Sequence, residues 1–214
     1  MRRITSLIYL PTFVAALVLL ASAAGQSYST PVGDYSTDKG KQLAGKYGTL
    51  LDHAVAEVTA VYSAEELRLV KLDESAVGGS GFWKNPAKFD TDNRYISMLV
   101  MVKKPPYIFG DDRNGHVASV LDRYGKTILS VLTKQLEAAP AADGVAICII
   151  WGDTVNGAVS RVGAEGMALF LAREDVIMYK NFKLTIQNLV NRNDLFLFNG
   201  PKELENLTQF ILEA

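Results

Sequence analysis

Histidine and cysteine are both scarce in this chain, with two histidines (His53 and His116) and one cysteine (Cys148) among 214 residues. The lone thiol has no partner for an internal disulfide. It stands inside VAICIIW with no cation nearby, which reads as a small core hydrophobe rather than a reactive nucleophile. The two histidines fall on different expected helices, off the apolar face of each, and read as solvated surface residues. A zinc centre needs several His, Cys or carboxylate ligands at close spacing, and no such cluster stands in the sequence. No metal and no cofactor is expected. A Ser-His-Asp triad would need one of these imidazoles. Ser80 with His116 is the pairing to weigh, but GGSGF around Ser80 lacks the second glycine of a nucleophile elbow.

Basic charge is not in excess either. Lys and Arg number 22 against 23 Asp and Glu, whereas a nucleic-acid binder should show a basic surplus or stripe. Long apolar runs are missing with one exception, at the amino terminus. There MRR is followed by FVAALVLL (residues 13–20) and then by the small residues of ASAAGQ. Ala21 with Ala23, or Ser22 with Ala24, suits signal peptidase, so residues 1–24 read as a cleaved secretory signal peptide. The competing reading is an uncleaved anchor. Pro11, Thr12 and the small-residue end favour cleavage, and after it no membrane association is expected. Cleavage removes Arg2 and Arg3 and no acid, leaving 20 basic side chains against 23 acidic ones. Export without disulfides suits a bacterial periplasmic or secreted protein.

Hydrophobic residues make up 49% and charged residues 21% of the chain, ordinary values for a globular protein. Residues 25–37 are polar with Gly and Pro, and read as a flexible tail. Residues 38–214 read as a single domain. Leu43, Tyr47, Leu50, Leu51, Ala54, Val58 and Val61 recur at helical spacing and predict a helix over 38–62 with Ser36, Thr37 or Asp38 as cap. A second helix is expected over 115–137. Strands are expected over 66–72, 94–102, 145–151, 167–172 and 194–198. Residues 173–192 read as a broken helix with Thr185 capping its second part, and Pro201 opens an expected helix over 201–214. The order predicts an α+β fold: a mixed, mainly antiparallel sheet of about five strands with helices packed mostly on one face.

Two glycine-bearing connections carry the candidate sites. AVGGSGFWKNPAKFD (residues 76–90) fails as a phosphate loop. A P-loop needs Gly before its Lys and a hydroxyl after it, and a dinucleotide loop needs a third Gly where Lys84 stands. What is left is a long strand-to-strand loop presenting Ser80, Phe82, Trp83 and Lys84 to a ligand or partner, or else aromatics that plug the core edge while the glycines turn the chain. The second connection follows Trp151 and Asp153 beyond the central strand, where sheets of this kind often hold ligands. The commoner role for an Asp so placed is to start a turn. Asp90 and Asp92 have the alternate spacing of a calcium loop without its Gly and Glu.

Function is therefore expected to be that of an exported, non-catalytic binding or accessory module for a small ligand or an envelope protein. Two alternatives stand beside it. One is a hydrolase pairing Asp153 with Asp90, Asp92 or Asp111 as acid and base. The other is a purely structural envelope protein.

Overall fold

The computed structural model describes residues 28–70, 79–88, 90–103, 113–152, 154–155, 158–159, 165–199, 208–209 and 211. The fold is α+β, built on a seven-stranded mixed sheet. Its centre is made by the two longest apolar runs, β3 (Tyr95–Lys103) and β4 (Gly144–Gly152). They pair in parallel with Tyr95 opposite Gly144 and Lys103 opposite Gly152. Parallel neighbours need a long crossover. Here it contains the helical stretch α2 (Arg113–Val120), a π-helical turn (Leu121–Gly125) and α3 (Lys126–Ala138). Every other ladder of the sheet is antiparallel: β4 with β7 (Glu165–Ala172), β7 with β8 (Asp194–Asn199), and β8 with β9 (Thr208–Gln209).

β1 (Leu67–Leu69) and β2 (Ser80–Trp83) lie end to end along the same edge of β3. Leu67 faces Val102, and Trp83 faces Tyr95. The join is continuous at the backbone: Val70 N–H donates to Leu99 O, and Leu99 N–H donates to Gly79 O. A Cβ on Gly79 would stand 2.8 Å from the carbonyl oxygen of Val70, so the two half-strands meet only because this residue has none. This corrects the expectation of one long loop over 76–90. Residues 80–83 belong to the sheet, because β3 offers a row of edge donors and acceptors to pair with. Residues 76–78 and Phe89 lie outside the described residues.

Residues 28–37 are a second correction to the expected organisation, since this part of the supposed tail is packed. Thr30 N–H donates to Ser80 O and Ser80 N–H donates to Tyr28 O, each at 2.9 Å. Thr30 and Tyr35 are buried. The segment covers the exposed edge of β2, which local composition does not reveal.

α1 (Asp38–Val61) has the expected span, and its N-cap Thr37 accepts from Gly40 N–H. α4 (Arg173–Lys180) and α5 (Ile186–Asn191) form the broken helix, with Thr185 capping α5 through Asn188 N–H. Between them Phe182 takes φ of 58° with its ring 97% exposed. The expected carboxyl-terminal helix does not hold at Thr208–Gln209, which pair with Phe196 and Leu197 instead. The rest of that stretch is outside the described residues, apart from Ile211. The connection after β4 contains a two-stranded hairpin, β5 (Thr154–Val155) with β6 (Ala158–Val159).

All the described helices pack on one face of the sheet. Their apolar side chains join Ile96, Met98, Val100 and Val102 of β3 and Val145, Ile147, Ile149 and Trp151 of β4 in one cluster. The alternate residues form a second cluster on the opposite face, containing Tyr95, Leu99, Cys148, Phe170 and Phe196. Its rings meet edge to face, Tyr95 with Phe170 and Phe170 with Phe196. Cys148 is buried, and burial pushes its thiol up, so it is the inert core residue expected.

Candidate functional site

At the end of the sheet where β3 and β4 begin, a set of short polar segments converges. Arg94 and Asp143 each immediately precede one of the parallel strands. Arg94 N–H donates to Asp143 Oδ2 at 2.6 Å, and Asp143 N–H returns a bond to Arg94 O at 2.8 Å. Lys39, in the first turn of α1, donates to the same Asp143 Oδ2 at 2.6 Å. The strand pair and the helix are thus fastened through one carboxylate. Gly144 follows, where a Cβ would lie 2.0 Å from Leu171 O and against the Tyr95 ring.

The Arg94 side chain is buried and fully engaged. Nε donates to Asp92 Oδ1 at 2.9 Å and one terminal amino group to Thr37 Oγ1 at 2.7 Å. The other reaches Phe82 O at 3.4 Å, and the guanidinium stands 6.0 Å from the centre of the Tyr35 ring. Burial alone would raise the Asp92 carboxyl. The hydrogen bond with Thr37 and the charges of Arg94 and Lys39 more than offset it and hold Asp92 below the ordinary carboxylate value. Asn93 organises the turn, its Oδ1 accepting from Asn85 N–H and its amide donating to Lys88 O. Arg173, at the start of α4, donates to the carbonyls of Leu136, Ala139 and Ala142, closing the carboxyl end of α3.

These segments line an open cleft of about 550 Å³, within the ordinary range for small-ligand sites of about 300–1,000 Å³. Its lining includes Ala141, Ala142 and Ala172 and the charged side chains of Lys88 and Glu174. Sequence reasoning noted Asp92 but missed Lys39, Arg94 and Asp143. The available signal was a polar residue directly before each strand, and nothing in the sequence says that the two meet.

The residues singled out from sequence do not form one site. Ser80 is fully buried in β2, its Oγ donating to Tyr28 O. Phe82 is 1% exposed, a core residue whose N–H donates to Tyr35 Oη. Neither offers its side chain to solvent, so the core-plugging alternative describes them, because inward alternation in an edge strand puts both beneath the surface. Trp83 is half-buried against the second cluster, and among the described residues its indole N–H has no hydrogen-bond acceptor. Lys84 is exposed. Trp151 is buried at the far end of the sheet, donating from Nε1 to Glu165 Oε2 at 3.1 Å. Trp83 and Trp151 are level with Tyr95 and Val102, about 23 Å apart at the rise of a strand. Asp153 and Asp111 lie outside the described residues. Asp92 is engaged by Arg94.

His116 corrects a further expectation. It is buried, with Nδ1 3.6 Å from Glu165 Oε2, whereas His53 is exposed as expected. A helical wheel at constant pitch runs through the π-helical turn and misplaces the residues before it. Among the described residues no group of three or more His, Cys, Asp or Glu is arranged to hold a metal, and no helix is long and apolar enough to cross a membrane.

Comparison of the chain with family models, with curated proteins and with solved structures finds no match.

Proposed function

We propose that this protein is an exported, non-catalytic binding module that takes a small ligand in the cleft at the amino ends of β3 and β4. One observation carries the reading. Several of the side chains that line the cleft are held by one another or by the backbone, as Asp143 is by Lys39 and Arg94. A site held this way is pre-organised, which lowers the ordering cost of binding. The amino-terminal apolar segment and the single cysteine support export.

The test is a thermal-shift panel of free amino acids, dipeptides, sugars and nucleotides on the purified chain, repeated on an Ala141→Trp variant. Ala141 is exposed and lines the cleft, so an indole there is expected to obstruct the cleft without entering the core. The reading expects at least one compound to raise the melting temperature of the native chain and not that of the variant. It fails if no compound does so. Export is checked by intact mass after expression in a bacterial host, with loss of residues 1–23 or 1–24 expected and a retained amino terminus counting against it.

A further inference from the structure

Phe182 is the most exposed large apolar side chain among the described residues, at 97%. The backbone holds it there. α4 ends in a Schellman turn: Lys183 N–H donates to Met178 O and Phe182 N–H donates to Tyr179 O, each at 2.9 Å. Such a turn places one residue in the left-handed region, here Phe182 with φ of 58°. Glycine is the usual residue at that position, because it has no Cβ to clash. A phenylalanine there strains the backbone and gains no burial within its own chain. Strain of this kind concentrates at functional positions. A fixed, projecting ring is suited to anchor an interface, since aromatic side chains are enriched in interface cores.

A receptor for such a ring begins four residues further on. Ile186 and Val190 of α5, with Ala118 of α2 and Leu121 of the π-helical turn, line an apolar pocket of about 260 Å³. A cavity of about 150 Å³ is enough to take a benzene ring. π-Helical turns are themselves frequent at functional sites. The Cα atoms of Phe182 and Ile186 can stand no more than about 14 Å apart, so ring and pocket share one patch of surface. The charged side chains of the pocket, Asp122 and Lys126, are paired with each other. They therefore set no bare cation against the exposed Lys183 that follows the ring.

A projecting ring and a ring-sized pocket on one patch are complementary to a second copy of that patch. We infer that two copies of this chain pair about a two-fold axis, with Phe182 of each copy seated in the pocket of the other. A two-fold pair uses the same surface on both copies, so the contact is made twice and the assembly closes.

The experiment is sedimentation equilibrium of the purified chain over a micromolar concentration series. A reversible monomer–dimer equilibrium is expected. Phe182→Ala removes the ring, and Ala118→Arg obstructs the pocket from an exposed position. Each should raise the dissociation constant by about tenfold or more, the effect of losing an interface anchor. Phe182→Gly relieves the backbone and should still dissociate like Phe182→Ala, which separates loss of pairing from loss of fold. An unchanged melting temperature verifies Ala118→Arg. The deciding arm mixes two variants. The Phe182→Ala chain keeps a pocket and the Ala118→Arg chain keeps a ring, so the mixture regains one of the two contacts. It should associate at concentrations where neither variant does so alone. A native chain that stays monomeric overturns the inference, as does undiminished pairing of any of these variants. Mixing without recovery overturns it too, and so does growth beyond the dimer, which a closed two-fold contact does not allow. The reading of the cleft is untouched by these outcomes, since α4 meets the cleft at its other end, through Arg173 and Glu174.

Discussion

Lys39 and Asp143 are 104 residues apart in sequence, and their side chains meet at 2.6 Å. The Asp143 carboxylate also takes the backbone N–H of Arg94. Its two roles differ in weight. The ion pair is about one-third exposed on each side, and pairs so placed contribute about 0.2–1 kcal/mol. An amide left without its acceptor at the start of a central strand costs about 1–3 kcal/mol. Asp143→Ala is therefore expected to lower stability by about 2 kcal/mol, and Lys39→Met by about 0.5 kcal/mol. Asp143→Asn keeps an acceptor and should sit near the lysine variant. Urea unfolding of the three variants decides this, and equal losses for Lys39→Met and Asp143→Ala would contradict it.

Asp92 gives a pH signature. Its carboxyl is held below the ordinary value in the folded chain. A depressed carboxyl contributes stability above its unfolded value, about 3.9, and that contribution is lost as pH falls through the lower folded value. The stability difference between the native chain and Asp92→Asn should thus be constant above about pH 5 and shrink below about pH 4. Chemical denaturation between pH 7 and about pH 2 reads it directly. A difference that stays flat or grows in acid would refute the assignment.

Glycine substitutions should divide by surroundings rather than by secondary structure. A Cβ on Gly144 would collide with a backbone oxygen of β7 at 2.0 Å, so Gly144→Ala is expected to cost about 3 kcal/mol. Gly45 and Gly48 lie inside α1, and a Cβ on either meets nothing within 4 Å. Alanine at each should add about 0.5–1 kcal/mol by restricting the unfolded chain. Melting temperatures moving in the same direction for all three would show the packing argument to be wrong.

Phe182 pays for a left-handed backbone with φ of 58° while its ring stands 97% exposed. A non-glycine residue loses about 1–2 kcal/mol in that region, and no burial offsets it. Phe182→Gly should raise stability by about 1 kcal/mol, whereas Phe182→Ala, which keeps a Cβ, should change it little. A gain from alanine equal to that from glycine would mean that the exposed ring, and not the backbone, carries the cost.

Legibility in the sequence followed how local each cause was. α1 was readable because seven apolar residues recur on one face and a threonine precedes it. β3 and β4 were readable because strands covered on both faces become unbroken apolar runs. β2 was not, since four residues containing a glycine hold no pattern of their own. They are a strand because β3 has an edge to fill. The hairpin of β5 and β6 did leave a trace: its paired dipeptides bracket Asn156-Gly157, a strong hairpin signal.

The cleft was the least legible feature. Lys39, Arg94, Asp143 and Glu174 look like ordinary caps and turn residues when each is read with its neighbours. The sequence by itself determined the α+β class, the helical and strand content of the core, and the inertness of Cys148, since these depend on periodicity and composition within a few residues. The pairing of two half-strands on one edge of β3, the burial of Ser80, Phe82 and His116, and the meeting of Arg94 with Asp143 were decided only by tertiary structure. Each needs a backbone partner or a countercharge supplied from far along the chain, and local sequence does not encode which distant segment supplies it.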